Sequence, residues 1–529
     1  MLVLLLACQP SDGRDSATPS DSDTVDTAGD SADSGWGDGL PTDFAPCGEA
    51  EAQVEYTLLD TDSVRYAELD QVVETWELRL TCDGEAYEYP LGGTPTFRVI
   101  RPAAPDPALP RPLALMFHPG TVDVDTEAYP EGVYGGACAD DQGPERVDHY
   151  LNMSVFTPYF VHRGGVVAIP VNSFCDLWMG LGPADAVDTK HGGAMLAKLV
   201  SDWMVHLQDD VTIDESHIVV FGARFAEVGG SFYTAAFPEV DVFVPAGGPS
   251  DMVRYYEEEG YCQWEPERCT DTTGHIWGGP PHEDDGTPSA YYDRYRDSSP
   301  TLAVSAERYA LPILHLYNRE DLVSPLVQHD DLGPALAAKL DPLGLRWAEH
   351  DFNNIDLPHD GVHNSPASGW LATWFINDHD VATVEGEERA AIGEVGVPGR
   401  SALGDGAPSG AAILAAAAVD GPGTMFRANA PFATTAGQEV RVAFQLKTGT
   451  GEGAAARLVL TEDGVEVAGL DLAPSDLVNA TVGDGIAGFV QNWDTTTLSA
   501  TSGGGQLGAR VDVYGTADVE LDLVLFGAR

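Results

Sequence analysis

The residues with the most chemical content in this chain run from Ile218 to Glu227, reading Ile-Val-Val-Phe-Gly-Ala-Arg-Phe-Ala-Glu. An apolar run ends in Gly222, and Ala226 follows four residues later. That is the outline of a G-x-S-x-G elbow, where a nucleophile is held on a strained turn between strand and helix. The positions two away on each side stay small so that the backbone can bend. The residue at the tip here is Arg224, whose guanidinium remains protonated near neutral pH and cannot attack a carbonyl. Two other registers keep a nucleophile. If Gly229-Gly230 is the glycine pair after the tip, Glu227 takes the place, at the cost of a bulky Phe225 in the turn. If Ser231 is the nucleophile, Tyr233 crowds the bend. The spacing from Gly222 to Pro238, which closes the next helix, favours Arg224 at the tip.

Those residues need a scaffold, and the chain supplies its pattern. Residues 113–117, 166–170, 218–221, 242–244 and 313–317 are short apolar runs of the kind buried on both faces of a parallel sheet. Between them, Met195, Leu196, Leu199, Trp203 and Leu207 recur at helical spacing over 193–208. Strands alternating with helices imply an α/β fold with a mostly parallel sheet and helices on both faces. Residues 48–101 carry strand signals, and 249–300 interrupt the alternation as an insertion or lid rich in Tyr, Trp, Glu and Pro. The domain is expected over 47–378, with a Gly, Ala and Glu rich linker at 379–410. Residues 411–529 alternate in strand fashion with Gly-rich turns, which predicts a C-terminal β-sandwich.

The chain carries 84 acidic against 27 basic residues, a net charge of −57, and only four of the basic residues are lysine. Such a surface repels nucleic acid and anionic lipid, so nucleic-acid partners are not expected. The first eight residues, Met-Leu-Val-Leu-Leu-Leu-Ala-Cys, end like a bacterial lipobox, and residues 1–8 are expected to be a signal remnant with Cys8 lipidated. Residues 9–46, acidic and almost without large apolar side chains, read as a disordered tether. An extracytoplasmic, membrane-anchored lipoprotein is the expectation. Cys47, Cys82, Cys138, Cys175, Cys262 and Cys269 then remain, an even number that suits disulfides in an oxidising compartment. Local pairing is expected, Cys47 with Cys82, Cys138 with Cys175 and Cys262 with Cys269. Zinc is disfavoured, because no pair has C-x-x-C spacing, and no motif calls for a cofactor.

Taken in order, the landmarks over 112–378 resemble the α/β-hydrolase superfamily, most closely its secreted polyhydroxybutyrate depolymerase and feruloyl esterase-like members. Phe117-His118-Pro119-Gly120 resembles the family's oxyanion turn, which implies binding roles for His118, Gly120 and the residue after the tip, Phe225. Tyr317-Asn318-Arg319-Glu320-Asp321 looks like the turn that carries the triad acid, Asp321. His359-Asp360-Gly361-Val362-His363 lies where the family keeps its histidine, and His363 matches better than His359. Acid and base alone cannot follow the covalent route, because the histidine needs a hydroxyl or thiol to deprotonate. The resemblance therefore implies either a carboxylic-ester hydrolase with an impaired nucleophile or a surface ligand-binding protein on the same scaffold. Glu227 remains open as a carboxylate nucleophile, as in dehalogenase-like relatives. The C-terminal part resembles carbohydrate-binding jelly rolls, with Trp493 and Tyr514 as stacking candidates. Trp264 and Trp277 in the insertion either line a sugar or polyester groove or pack the lid.

Overall fold

The computed structural model describes residues 52–66, 69–86, 96–117, 157, 160, 161, 163–170, 192–206, 211–223, 227–257, 279–319, 321, 329–351, 362, 366–377, 380–384, 399–401, 413–416, 422–448, 456–472, 494–514 and 519–529. The five apolar runs become neighbouring parallel strands. In chain order the first half contains β1 (Ala52–Tyr66), β2 (Leu69–Cys82), β3 (Glu85–Ala86), β4 (Thr96–Pro102), β5 (Arg111–Phe117) and β6 (Val166–Pro170). Then come α1 (Gly192–His206), β7 (Ile213–Ala223), α2 (Glu227–Ala236), β8 (Val240–Ala246), α3 (Met252–Glu257), α4 (Tyr292–Asp297) and α5 (Pro300–Ser305). Last are β9 (Ile313–Tyr317), α6 (Leu332–Leu340), β10 (Trp347–Asp351) and α7 (Pro366–Asn377).

These strands form one sheet in the order β1-β2-β4-β6-β5-β7-β8-β9-β10, with β3 on β2. From β6 to β10 every pairing is parallel, while β1, β2 and β4 extend the sheet antiparallel. The run of buried residues from Ile218 to Ala223 has a partner layer on each face. On one face Val219, Phe221, Val242, Val244, Leu314 and Leu316 pack with Leu371, Trp374 and Phe375 of α7. On the other, α2 comes so close that a Cβ on Gly230 would sit 3.1 Å from Val220 and 3.2 Å from Phe243. The glycine eases that close approach of helix to strand. The start and end of the insertion also pack on α2, since Met252, Tyr255 and Tyr295 share a buried cluster with Val228. These tyrosines act as packing groups.

The C-terminal half adds β11 (Asp380–Val384), β12 (Gly399–Ser401), β13 (Ile413–Ala416), β14 (Pro422–Ala433), β15 (Glu439–Thr448) and β16 (Ala456–Glu462). It ends with β17 (Val465–Leu472), β18 (Asp494–Thr501), β19 (Gln506–Tyr514) and β20 (Val519–Ala528). One sheet runs β12-β13-β20-β15-β18 with β11 on β20, the other β14-β19-β16-β17, all antiparallel. Phe426, Val442, Phe444, Leu458, Val511, Val524 and Phe526 from both sheets share one core, which makes a β-sandwich.

The stretch 379–410, expected to be a linker, contributes strands β11 and β12 to that sandwich. Val381, Thr383 and Val384 are β-branched, and β11 pairs with β20 from Asp380 to Val384. It starts three residues after α7, so helix and sandwich are joined with little slack. Ala443 and Leu525 belong to the α7 core, and the Arg441 guanidinium lies 5.0 Å from the centre of the Trp374 ring.

Candidate functional site

In the parallel half, β5 leads to β6 on one side and the chain then returns to place β7 on the other. The order of the strands therefore reverses between β5 and β7, and in open α/β sheets such a switch point leaves a crevice outside the C-terminal strand ends. The register pairs Phe117 with Gly222, so the two strands leave the sheet side by side. The exits are the segments the sequence marks, 118–120 and 224–226. Strand β7 ends at Ala223 and α2 begins at Glu227, with three residues between them. Arg224, Phe225, His118, Gly120 and His363 lie outside the described residues, as do Trp264, Trp277, Trp493 and all the cysteines except Cys82.

The loop after β8 gathers several of the remaining elements. Gly247 has φ +74° and donates its N–H to the Leu316 carbonyl of β9 at 2.9 Å. Val362 is fully buried against Gly247, 3.2 Å from where a Cβ would be, which brings the residue before His363 to the end of β8. The next residue, Gly248, donates its N–H to Glu227 Oε2 at 2.8 Å, tying the start of α2 to the same loop. Asp321 is buried in the turn after β9, its N–H on the Asn318 carbonyl at 3.0 Å. The exits of β5, β7, β8 and β9 thus adjoin along one edge.

Glu227 is wholly buried, and its Oε1 has no hydrogen-bond partner. Burial pushes its carboxyl up to about 8, against the smaller opposing pull of the Gly248 N–H. It is a neutral acid at neutral pH. Ser231 sits one turn further along α2, with its hydroxyl donating to the Asp297 carbonyl at 3.0 Å and 3.1 Å from the Tyr309 hydroxyl. Both contacts lie in the helix layer. Burial drives the Tyr309 phenol far above its ordinary range.

A second polar cluster adjoins the same edge, and the sequence reading did not single it out. Ser250, four residues past β8, has its Oγ 3.3 Å from His329 Nδ1. His329 Nδ1 is 3.0 Å from His315 Nε2 in β9, and His315 Nδ1 is 3.1 Å from Glu349 Oε1 in β10. The signal was present as His315 inside an apolar strand, where an unpartnered imidazole is costly. Among the described residues no group of three or more His, Cys, Asp or Glu is arranged to hold a metal ion.

In the sandwich, Tyr514 ends β19, and burial, with Asp471 close by, raises its phenol. Cys82 is disulfide-bonded.

No protein-family model matches the sequence, and no curated protein matches it either. Among solved structures, a puromycin-hydrolysing peptidase from Mycobacterium tuberculosis is similar at 15% identity and TM-score 0.33, over 58% of this chain and 45% of that one. A glucuronoyl esterase from Teredinibacter turnerae is similar at 11% identity and TM-score 0.38, over 61% and 78%. An acetyl xylan esterase from a Paenibacillus species shows 12% identity and TM-score 0.35, over 58% and 84%. The chain thus spans less than half the length of the peptidase. Overlaps this loose carry no argument about chemistry, and the fold rests on the strand order described above.

Proposed function

We propose that this is an α/β-hydrolase-fold protein of the carboxylic-ester hydrolase kind that has lost its serine nucleophile and binds an ester- or carbohydrate-bearing ligand at the old site. The observation that carries this reading is the β7–α2 junction. Strand β7 ends at Ala223 and α2 begins at Glu227, at the switch point of the sheet, so the sequence position available for a nucleophile is that of Arg224. The two competing nucleophiles are both handicapped. Ser231 is committed to Asp297 and Tyr309 within the helix layer. Glu227, with its carboxyl pushed up to about 8, is protonated at neutral pH and is a far poorer nucleophile than a carboxylate. An arginine at a helix start would draw a carboxylate or sulfate group of the ligand.

The acidic tether and lipobox sequence extend the proposal to a lipid-anchored, extracytoplasmic protein, and the disulfide at Cys82 suits an oxidising compartment. Jelly-roll character for the sandwich, with Tyr514 and Trp493 offered to sugars, belongs to the same proposal. The test is a fluorophosphonate probe together with p-nitrophenyl acetate turnover. The wild-type protein is expected to give neither labelling nor turnover above background, and strong wild-type labelling overturns the reading. Labelling abolished by Ser231→Ala would identify the other register, and turnover lost in Glu227→Gln would identify the carboxylate. Palmitate-analogue labelling that disappears in Cys8→Ala checks the anchor, and equal labelling of both removes it.

A further inference from the structure

One sheet of the sandwich is buried on both of its faces. Antiparallel sheets commonly keep one face in water, and their strands then alternate between buried and exposed residues. Strand β20 does not alternate, since Val524, Leu525, Phe526, Gly527 and Ala528 are all buried. Val524, Phe526 and Ala528 enter the sandwich core, whereas Leu525 belongs to the core of the parallel sheet. Strand β15 divides in the same way. Val442 and Phe444 enter the sandwich, and Ala443, wholly buried between them, joins the other core. The register sets Leu525, Ala443 and Thr497 in one row across β20, β15 and β18. Residues directly opposite one another share a face, so this row marks the outward side of the sheet.

Helix α7 covers that side. Its residues Leu371 to Ile376 are buried without a break, whereas a helix lying on a single core keeps a polar face in water. Leu371, Trp374 and Phe375 share one cluster with Val219 and Leu316 of the parallel sheet and with Ala443 and Leu525 of the sandwich. The helix therefore lies between two sheets. Polar contacts fasten both sides of it. The Arg441 guanidinium of β15 sits 5.0 Å from the centre of the Trp374 ring, and that of Arg346, just before β10, sits 4.5 Å from the Phe375 ring, both within cation–π range. At the β18 end of the row, Arg163 of the first half donates to Thr497 Oγ1 at 3.4 Å.

We propose that α7 is a layer shared by both halves, so that the sandwich is a fixed clamp on the parallel sheet, opens with it as one cooperative unit, and helps to hold the candidate site in place. A binding module swinging on a linker would need the outward side of its sheet to be wet, and here that side is spent on the helix. The clamp reaches the site through the chain itself. Val362, packed on Gly247 at the end of β8, is separated from the start of α7 at Pro366 by three residues, so a displaced α7 pulls on the segment that closes over the β8 exit. The clamp works in the same way with or without a nucleophile at the elbow.

The test is hydrogen–deuterium exchange of the full chain, followed peptide by peptide by mass spectrometry. In the wild type, the slowest amides of β7 around Val219 to Phe221 and of β19 around Ala509 to Val511 are expected to open with the same free energy and to respond alike to low urea. Separate opening energies for the two strands overturn the clamp, and this comparison needs no variant. Leu458→Ala removes a side chain that belongs to the sandwich core alone. It is expected to speed exchange in β7 by the same factor as in β19, on the order of thirtyfold. Faster exchange in β19 with β7 unchanged also overturns the proposal. Leu525→Ala thins the shared layer from the sandwich side, and is expected to speed exchange of the Gly247 amide, bonded to the Leu316 carbonyl at 2.9 Å, by about tenfold or more. Unchanged protection at Gly247 in the folded variant overturns the coupling of the sandwich to the site.

Discussion

Glu227 in the parallel-sheet half and Glu462 in the sandwich both accept backbone N–H groups, yet they are driven to opposite protonation states. Glu462 receives the N–H groups of Gly503, Gly504 and Gly505 at 2.8, 3.1 and 3.0 Å and the hydroxyl of Ser502. Those donors, Ser502 first, hold its carboxyl down at about 2. Glu227 receives the Gly248 N–H, has an oxygen with no hydrogen-bond partner, and is pushed up to about 8 by burial against the pull of the Gly248 and Ala246 backbone. What separates them is burial first, and then the number of donors that meet each carboxyl. The sandwich finishes its polar cluster and uses it to lock a loop, whereas the sheet edge leaves one oxygen of a buried acid without a hydrogen bond.

The comparison breaks most sharply at Glu227. Its folded value lies above that of the unfolded chain, so the folded protein holds a proton that the unfolded one would lose. Stability from this group is complete below pH 4.5 and is withdrawn as pH rises to about 8. At about 1.4 kcal/mol per pH unit the loss is on the order of 4 kcal/mol. Glu227→Gln keeps an acceptor for Gly248 and removes the titration. It should match the wild type in denaturant melts near pH 4 and exceed it at pH 8 by an amount of that order. A variant weaker than wild type at pH 8 would mean that the acid is charged and paired.

Two glycines sharpen the same contrast on the packing side. Gly504 has φ +96°, and a Cβ there would lie 3.0 Å from the Ala436 backbone nitrogen. Gly504→Ala should cost about 3 kcal/mol, since it combines left-handed strain with a contact to unyielding backbone. Gly230→Ala would press on the buried Val220 and Phe243 side chains at 3.1 and 3.2 Å, which must give by a few tenths of an ångström, and should cost about 1–2 kcal/mol as α2 shifts outward. If Gly230→Ala proves the costlier, the α2–sheet contact is the more rigid of the two.

The sheet was legible because β5 to β9 are apolar on both faces, a pattern that survives without knowledge of their partners. The strand and helix on either side of the expected elbow were legible too, β7 ending at Ala223 and α2 starting at Glu227, while Arg224, Phe225 and Ala226 lie outside the described residues. Strand β11 was not, because five residues between a helix and a Gly/Ala-rich stretch gain their ladder only from β20, about 140 residues away. The pairing of His315 with Glu349 was equally hidden. It exists because β9 and β10 run in parallel register, a fact of tertiary structure that no local spacing encodes. Buried polar groups in a parallel sheet are read only once the strand order is known.

The smallest expected effect is at Glu462, which is partly exposed to solvent and salt. Its folded value lies below that of the unfolded chain. The stability it supplies is present above the unfolded carboxyl range and is lost as pH falls through about 2. Glu462→Gln places an NH2 against N–H donors that need an acceptor, so the loop at 502–505 loses part of its anchor while the Thr434–Ser502 hydroxyl contact at 2.6 Å remains. Thermal melts should show a small drop in Tm at pH 7 that shrinks as salt is raised and is largely gone near pH 2, where the wild-type carboxyl is itself half protonated. A drop that persists unchanged at pH 2 would show that Glu462 acts through shape rather than charge. A pH-dependent contribution to stability would then belong to Glu227 alone.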